Sequence, residues 1–319
     1  MKMKTTLLSL LALFIIGCQS ETKDPITEFQ QSLINDGKTG SNVFKIYKDG
    51  EIVYDKILNS GSLGDRDINE NTIFAIHSMT KTVTTVAAMI LHERELFQLD
   101  DPVHKYMPEF KEIQCKGPDG IYNCENELKV VDLLTHRSGY VYYLDNGENW
   151  LTGTHKSLYP SYINTSRFTN LDDFSKAVAK QPLEFEPGTM YAYGLNQALL
   201  GRFIEVVSGQ SFYEFLKENI FDHLGMNDTK FHLTKDERSR LQPLRVNIKP
   251  NSVFNQTNYS LDGYTVALDG YSYMEENKAH FGGEGLVSTM NDFSKFCEML
   301  VNDGIYKGKR IMSSESIDI

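Results

Sequence analysis

Phe74-Ala-Ile-His-Ser-Met-Thr-Lys-Thr-Val-Thr-Thr85 is the most informative stretch of this 319-residue chain. Ser78 and Lys81 stand three residues apart, and residues at that spacing share one face of a helix. The Ser78 hydroxyl is then expected beside the Lys81 amine. Near a helix N-terminus the dipole favours a developing serine alkoxide and disfavours an ammonium. A serine held against an unprotonated amine is an activated nucleophile. The same spacing also arises on ordinary surface helices, so its meaning depends on what else the chain carries.

Further segments agree with it. Leu99-Asp-Asp-Pro-Val103 follows the Ser-x-x-Lys helix, and Leu133-Leu-Thr-His-Arg-Ser-Gly139 comes next. Glu186-Pro-Gly-Thr-Met-Tyr-Ala-Tyr-Gly-Leu-Asn-Gln-Ala-Leu-Leu-Gly201 then sets Tyr193 after a Pro-Gly turn and ahead of an apolar helix. Phe281-Gly-Gly-Glu-Gly-Leu-Val-Ser-Thr289 completes the series. In this order, from about residue 40 to residue 319, the segments resemble the serine β-lactamase-like family. That family takes in class C β-lactamases, low-molecular-weight penicillin-binding proteins and family VIII carboxylesterases.

The resemblance implies an α/β (α+β) fold of β-lactamase/transpeptidase type, an antiparallel sheet flanked by helices plus a helical domain. It implies an acyl-transfer site in which Ser78 attacks a carbonyl, Lys81 draws off its proton and Tyr193 passes that proton to the leaving group. The backbone N–H of Ser78 would be one oxyanion donor. Gly282 and Gly283 would allow close backbone approach beside the substrate. Lactamases and penicillin-binding proteins usually carry Tyr-x-Asn, whereas this chain has Tyr193-Gly194-Leu195, with Asn196 one position late. Leucine neither donates nor accepts a hydrogen bond, so esters or small amides are the expected substrates. β-Lactams and peptidoglycan-like D-Ala-D-Ala peptides are the alternative, and a non-catalytic or truncated penicillin-recognising lipoprotein is the second.

The resemblance also bears on the C-terminal side. The family's third motif, Lys-Thr-Gly or its equivalents, lies on a strand after the point matched by Met312–Ile319, and it has no counterpart here. The sheet is therefore expected to be incomplete. Val43-Phe-Lys-Ile-Tyr47 and Glu51-Ile-Val-Tyr-Asp55 around Asp49-Gly50 form the one clear hairpin, and a lone hairpin is marginal in water.

The N-terminal side reads differently. Met1-Lys-Met-Lys4 is basic, Leu7 to Ile16 is apolar and too short to span a bilayer, and Ile15-Ile-Gly-Cys18 ends the run. Residues 1–17 are expected to be a lipoprotein signal peptide, with Cys18 as the lipidated first residue of the mature protein. Residues 18–40 form a tether and a first helix opened by Asp24-Pro25, and 41–319 form the hydrolase domain. The expected location is the bacterial cell envelope. The net charge of −11 argues against nucleic acid and against charge-driven binding to anionic membrane, which leaves the lipid as the only membrane attachment.

Four cysteines are present. Cys115 and Cys124 bracket a turn-rich stretch and suit a local disulfide in an exported protein, or two free thiols. Cys297 falls in the apolar phase of its segment and is expected in the core. No Cys/His spacing matches a zinc site, and His92-Glu93 is followed by Leu96 where His-Glu-x-x-His needs histidine. Neither metal nor cofactor is expected. His136 invites a Ser-His-Asp reading, but no Gly-x-Ser-x-Gly elbow is present, so a structural role is expected. Glu284 is expected to be solvated or salt-bridged, and His280 to be a loop residue. The long stretch from Tyr140 to Thr169 is a candidate wall of the cleft.

Overall fold

The computed structural model describes residues 24–62, 65–141, 168–242, 244–245, 265–266 and 279–319. The signal segment, Cys18 and most of the stretch from Tyr140 to Thr169 lie outside the described residues. Helix α1 (Pro25–Asn35) begins where the Asp24 carboxylate accepts the Ile26 N–H, with proline at the first helical position. Strands β1 (Asn42–Lys48) and β2 (Glu51–Leu58) pair antiparallel. Asp49 and Gly50 both have positive φ, 51° and 87°, as a type I′ turn requires. Gln30 of α1 is fully buried over this hairpin. It donates to the carbonyls of Asn42 and Lys56 and accepts from the Tyr54 hydroxyl.

The short strand β3 (Ile73–Ala75) runs through a single 3-10 turn, His77–Met79, into helix α2 (Thr80–Glu93). α2 buries Val83, Ala87, Ala88 and Leu91 completely, which makes it the central helix. The chain continues through the hairpin β4 (Gln114–Gly117) and β5 (Gly120–Asn123) into α3 (Val130–Leu134). Next come α4 (Leu171–Ala179), capped by Asn170, and α5 (Asn196–Ser208), ended by Gly209 in the left-handed region. α2 packs on α5, and Phe203 of α5 meets Phe97 edge-on at 5.0 Å between ring centres.

Ser211 to Leu224 reads from sequence as one helix. The structure divides it into α6 (Phe212–Leu216), a π turn (Lys217–Phe221) and α7 (Asp222–Leu224). The π turn leaves Phe212, Phe215, Leu216, Ile220 and Phe221 all facing the core. α8 (Lys235–Arg238), β6 (Leu244–Arg245) and β7 (Thr265–Val266) lead to β8 (Val287–Thr289), which pairs antiparallel with β3. Thr289 caps α9 (Met290–Val301), followed by the β9 (Ile305–Tyr306) and β10 (Lys309–Arg310) pair and α10 (Ser314–Asp318).

Two expectations change here. The hairpin at residues 42–58 is not the only paired backbone, because four further two-stranded ladders occur among the described residues. They are two to four residues long, too short to carry a readable period. The hairpin is also covered in part: Asn291 of α9 accepts from Lys45, Asn302 donates to Tyr47, and α1 lies across β2. Ile46, Ile52 and Val53 stay exposed. Cys297 is also exposed rather than buried. Phe296 and Met299 take the inner face of α9, and one step along the helix turns Cys297 outward. No helix among the described residues is long and apolar enough to cross a membrane.

Candidate active site

The turn before α2 builds the site. Ile73 is held on one side by the Thr289 pairing and on the other by backbone hydrogen bonds with Arg240 and Gln242. From this fixed strand the chain must swing into a helix within a few residues. His77 takes the strain, with φ of 44°, a region rarely used by residues with a Cβ. Ser78 follows it, exposed, in the first helical turn.

Ser78, Lys81 and Tyr193 converge. The Ser78 Oγ lies 3.0 Å from the Tyr193 hydroxyl and 3.1 Å from Lys81 Nζ. Lys81 also donates to the carbonyl of Gly283 at 2.6 Å and stands 4.9 Å from the centre of the Tyr193 ring. The Phe281–Leu286 turn that supplies this carbonyl is fastened to α2. Thr84 donates to the Gly282 carbonyl, and the Leu286 N–H donates to Thr80 Oγ1. A Cβ on Gly282 would run into the Gln197 carbonyl and the Thr84 side chain. Gly282 and Gly283 are thus buried backbone that seats Lys81, a more specific task than the close approach read from sequence.

Tyr193 is placed by the segment from His136 to Val141. Gly194 bridges to Val141, the Leu195 N–H donates to the Tyr140 carbonyl, and the Ala192 N–H donates to the His136 carbonyl. A Cβ on Gly194 would overlap the Tyr140 carbonyl, so only glycine fits. The His136 and Tyr193 rings stack at 4.9 Å with 27° between planes. Leu195 is buried, and Asn196 is fully buried with its amide against His136 Nδ1 at 3.1 Å. Both side chains are enclosed and the Asn196 amide is used by His136, whereas a substrate-binding asparagine needs its amide open to the cleft.

The site electrostatics follow from burial. His136 is pulled down to about 4, first by desolvation and then by the Lys81 charge, so its imidazole is neutral at pH 7. Glu284 is pushed up to about 8 by desolvation, against the pull of Lys81. Its Oε1 is enclosed and has no hydrogen-bond partner among the described residues, and no ion pair to it occurs there. The expected solvated or salt-bridged carboxylate is thus a half-buried acid beside the site, with one oxygen shut off from water. Sequence reasoning missed this because a Glu among glycines reads as a turn residue. His280 is likewise buried, its Nε2 3.0 Å from that of His232.

Cys115 and Cys124 are bonded to each other across the β4–β5 pair, Cα atoms 5.1 Å apart. Glu186 lies close to both sulfurs, but a disulfide offers no thiolate to a metal.

Comparison with known proteins gives a consistent result. The sequence profile of the family described as Beta-lactamase matches residues 26–316. An uncharacterized protein of Mycobacterium tuberculosis is 28% identical over 277 residues, 82% of this chain and 64% of that protein. The lovastatin esterase of Penicillium rubens is 28% identical over 293 residues, 86% of this chain and 68% of the enzyme. Among solved structures, EstCE1, a hydrolase with promiscuous acyltransferase activity, superposes with a TM-score of 0.68 at 22% identity, over 92% of this chain and 74% of its own. This chain therefore spans about two thirds of the length of the curated relatives it matches. The fold is β-lactamase/transpeptidase-like.

Proposed function

The chain belongs to the Beta-lactamase family, and from that premise we propose that it is an exported serine hydrolase forming an acyl-enzyme through Ser78, on esters or small amides. The observation that carries this reading is the Ser78 hydroxyl held within 3.1 Å of both Lys81 Nζ and the Tyr193 hydroxyl. As the Oγ–carbon bond forms, the serine proton passes to the Lys81–Tyr193 pair. Tyr193 then returns a proton to the leaving oxygen or nitrogen as that bond breaks. A water that loses its proton to the same pair cleaves the acyl-enzyme. The Ser78 N–H lies in the first helical turn, where backbone donors have no intrahelical acceptor, and serves the oxyanion.

The preference for esters rests on Leu195 and Asn196. The first is apolar and the second is committed to His136, so a substrate amide finds no side-chain partner there. Two relatives described as esterases, one of them from Burkholderia gladioli, support the same choice. Residues 1–17 are proposed to direct export and Cys18 to carry lipid. A tagged palmitate should label the wild type and leave Cys18→Ala unlabelled.

The deciding experiment is intact mass after incubation with p-nitrophenyl butyrate or a fluorophosphonate. A single adduct on Ser78, absent from Ser78→Ala, is expected. Equal labelling of the variant would refute the mechanism. A fluorescent penicillin that labels Ser78 faster than the ester would move the substrate class to β-lactams.

A further inference from the structure

His136 stood as a structural histidine on sequence grounds, yet its contacts converge on the proposed proton carrier. We propose that His136 is a positioning residue for Tyr193: its neutral imidazole accepts the backbone that carries the tyrosine and provides the face on which the phenol lies. The inference rests on the acyl-enzyme reading above.

Three consecutive residues are fixed by this one. The Ala192 N–H donates to the His136 carbonyl at 2.9 Å. The Tyr193 ring stacks on the imidazole. The Gly194 N–H donates to Nδ1 at 3.3 Å. A backbone N–H can only donate, so Nδ1 is unprotonated and the ring proton is on Nε2. The Asn196 amide then also donates to Nδ1, and its Oδ1 faces away with no partner among the described residues. A protonated ring would lose both bonds and set a second cation near Lys81. Burial and the Lys81 charge oppose that form.

The backbone of His136 carries a constraint of its own. Its φ is 57°, in the left-handed region that residues other than glycine enter at a cost. The residue is also buried. Packing alone would be met by an apolar side chain at ordinary φ. An acceptor at Nδ1 and a flat face toward Tyr193 are what histidine adds. With the Gly194 N–H buried, loss of its acceptor leaves an unsatisfied donor behind the catalytic tyrosine.

The test separates the two contributions. His136→Phe keeps a ring and removes the acceptor, and His136→Asn keeps an acceptor and removes the ring. For both, p-nitrophenyl butyrate hydrolysis should lose roughly 10- to 100-fold in kcat, the scale of small misplacement of a catalytic group, with KM changed less than about twofold. Fluorophosphonate labelling of Ser78 should still go to completion in both, but more slowly than in the wild type, because Lys81 stays in place while Tyr193 does not. Variants that melt like the wild type and keep full kcat would overturn the proposal, as would losses carried by KM. The histidine ring nitrogens of the wild type give a readout that needs no turnover. Nitrogen-15 NMR at pH 7 should show His136 with a bare Nδ1 and a protonated Nε2, whether or not the protein hydrolyses esters. An Nδ1–H tautomer or an imidazolium would refute the arrangement even in an active enzyme. Absence of any Ser78-dependent turnover alongside the expected tautomer would refute the catalytic role and leave only the packing.

Discussion

Lys81 Nζ lies 2.6 Å from the carbonyl oxygen of Gly283, 202 residues further along the chain. This contact is shorter than its 3.1 Å contact with Ser78. The lysine is thus oriented by the glycine turn and presented to the serine, rather than held by the serine alone. A carbonyl accepts the N–H and fixes its direction without adding a charge of its own, so the amine is aimed by geometry.

Lys81→Ala and Tyr193→Phe should each lower kcat/KM by roughly 10²-fold or more, the scale of general acid–base catalysis. Their combined effect should be far less than the product of the two, because both act on one proton path. Steady-state kinetics on p-nitrophenyl esters decide it, and full additivity would mean two independent roles.

Gly282→Ala tests the seat of Lys81. The added methyl meets the Gln197 carbonyl and Thr84, and neither can retreat without moving α5 or α2. Overpacking of this kind costs about 1–3 kcal/mol. Thermal melting should fall accordingly and turnover should fall further, because the Gly283 carbonyl moves with its neighbour. Unchanged kinetics would show that the turn tolerates displacement.

Two desolvated groups, His136 and Glu284, make stability depend on pH in opposite senses. His136 binds its proton near 6.5 when unfolded and only at about 4 when folded. Stability from this group is present above pH 6.5 and is lost as pH falls toward 4. Melting temperatures from pH 7 to pH 4 should drop more steeply for the wild type than for His136→Phe.

Glu284 works the other way. Its folded value of about 8 lies above the ordinary 4.5, so the folded state holds a proton that the unfolded chain has released. Stability should decline as pH rises from about 4.5 to 8 and be level above that. The melting difference between Glu284→Gln and the wild type should widen over this window. Parallel curves would place the carboxyl in water.

The disulfide closes a loop with a sequence separation of 9. Chain-entropy arguments give about 2–3 kcal/mol for a loop of this size. Cys124→Ser should lower the melting temperature and change kcat far less than Lys81→Ala does, since neither cysteine contacts Ser78, Lys81 or Tyr193 among the described hydrogen bonds.

Much of the site was legible because its residues sit in ordered segments with strong local signals. Ser78 and Lys81 declare a shared helical face by spacing, and Asp24-Pro25 declares a helix start. Asp49-Gly50 declares a turn. What was not legible depends on partners distant in sequence. Nothing local marks Ile73–Ala75 as a strand, because its pairing is supplied by Val287–Thr289. His136 looks inert until Gly194 and Tyr193 are folded against it. Glu284 looks solvated until the turn closes on α2. Cys297 misleads because an apolar period one residue out of phase looks the same in a short window.

The pairing of β3 with β8 also governs when the Ser78 turn becomes organised during synthesis. Ser78 is translated early, but the strand before it finds its partner only when residues 287–289 exist. At about 5–20 residues per second, that delay is on the order of ten seconds or more. Until then the Ser-x-x-Lys helix lacks both the strand that aims it and the Gly283 carbonyl that orients its lysine. The emerging chain therefore carries Ser78 without the ordered lysine that stands beside it in the folded structure. The Ser78–Lys81–Tyr193 cluster is completed late, when the glycine turn docks on α2.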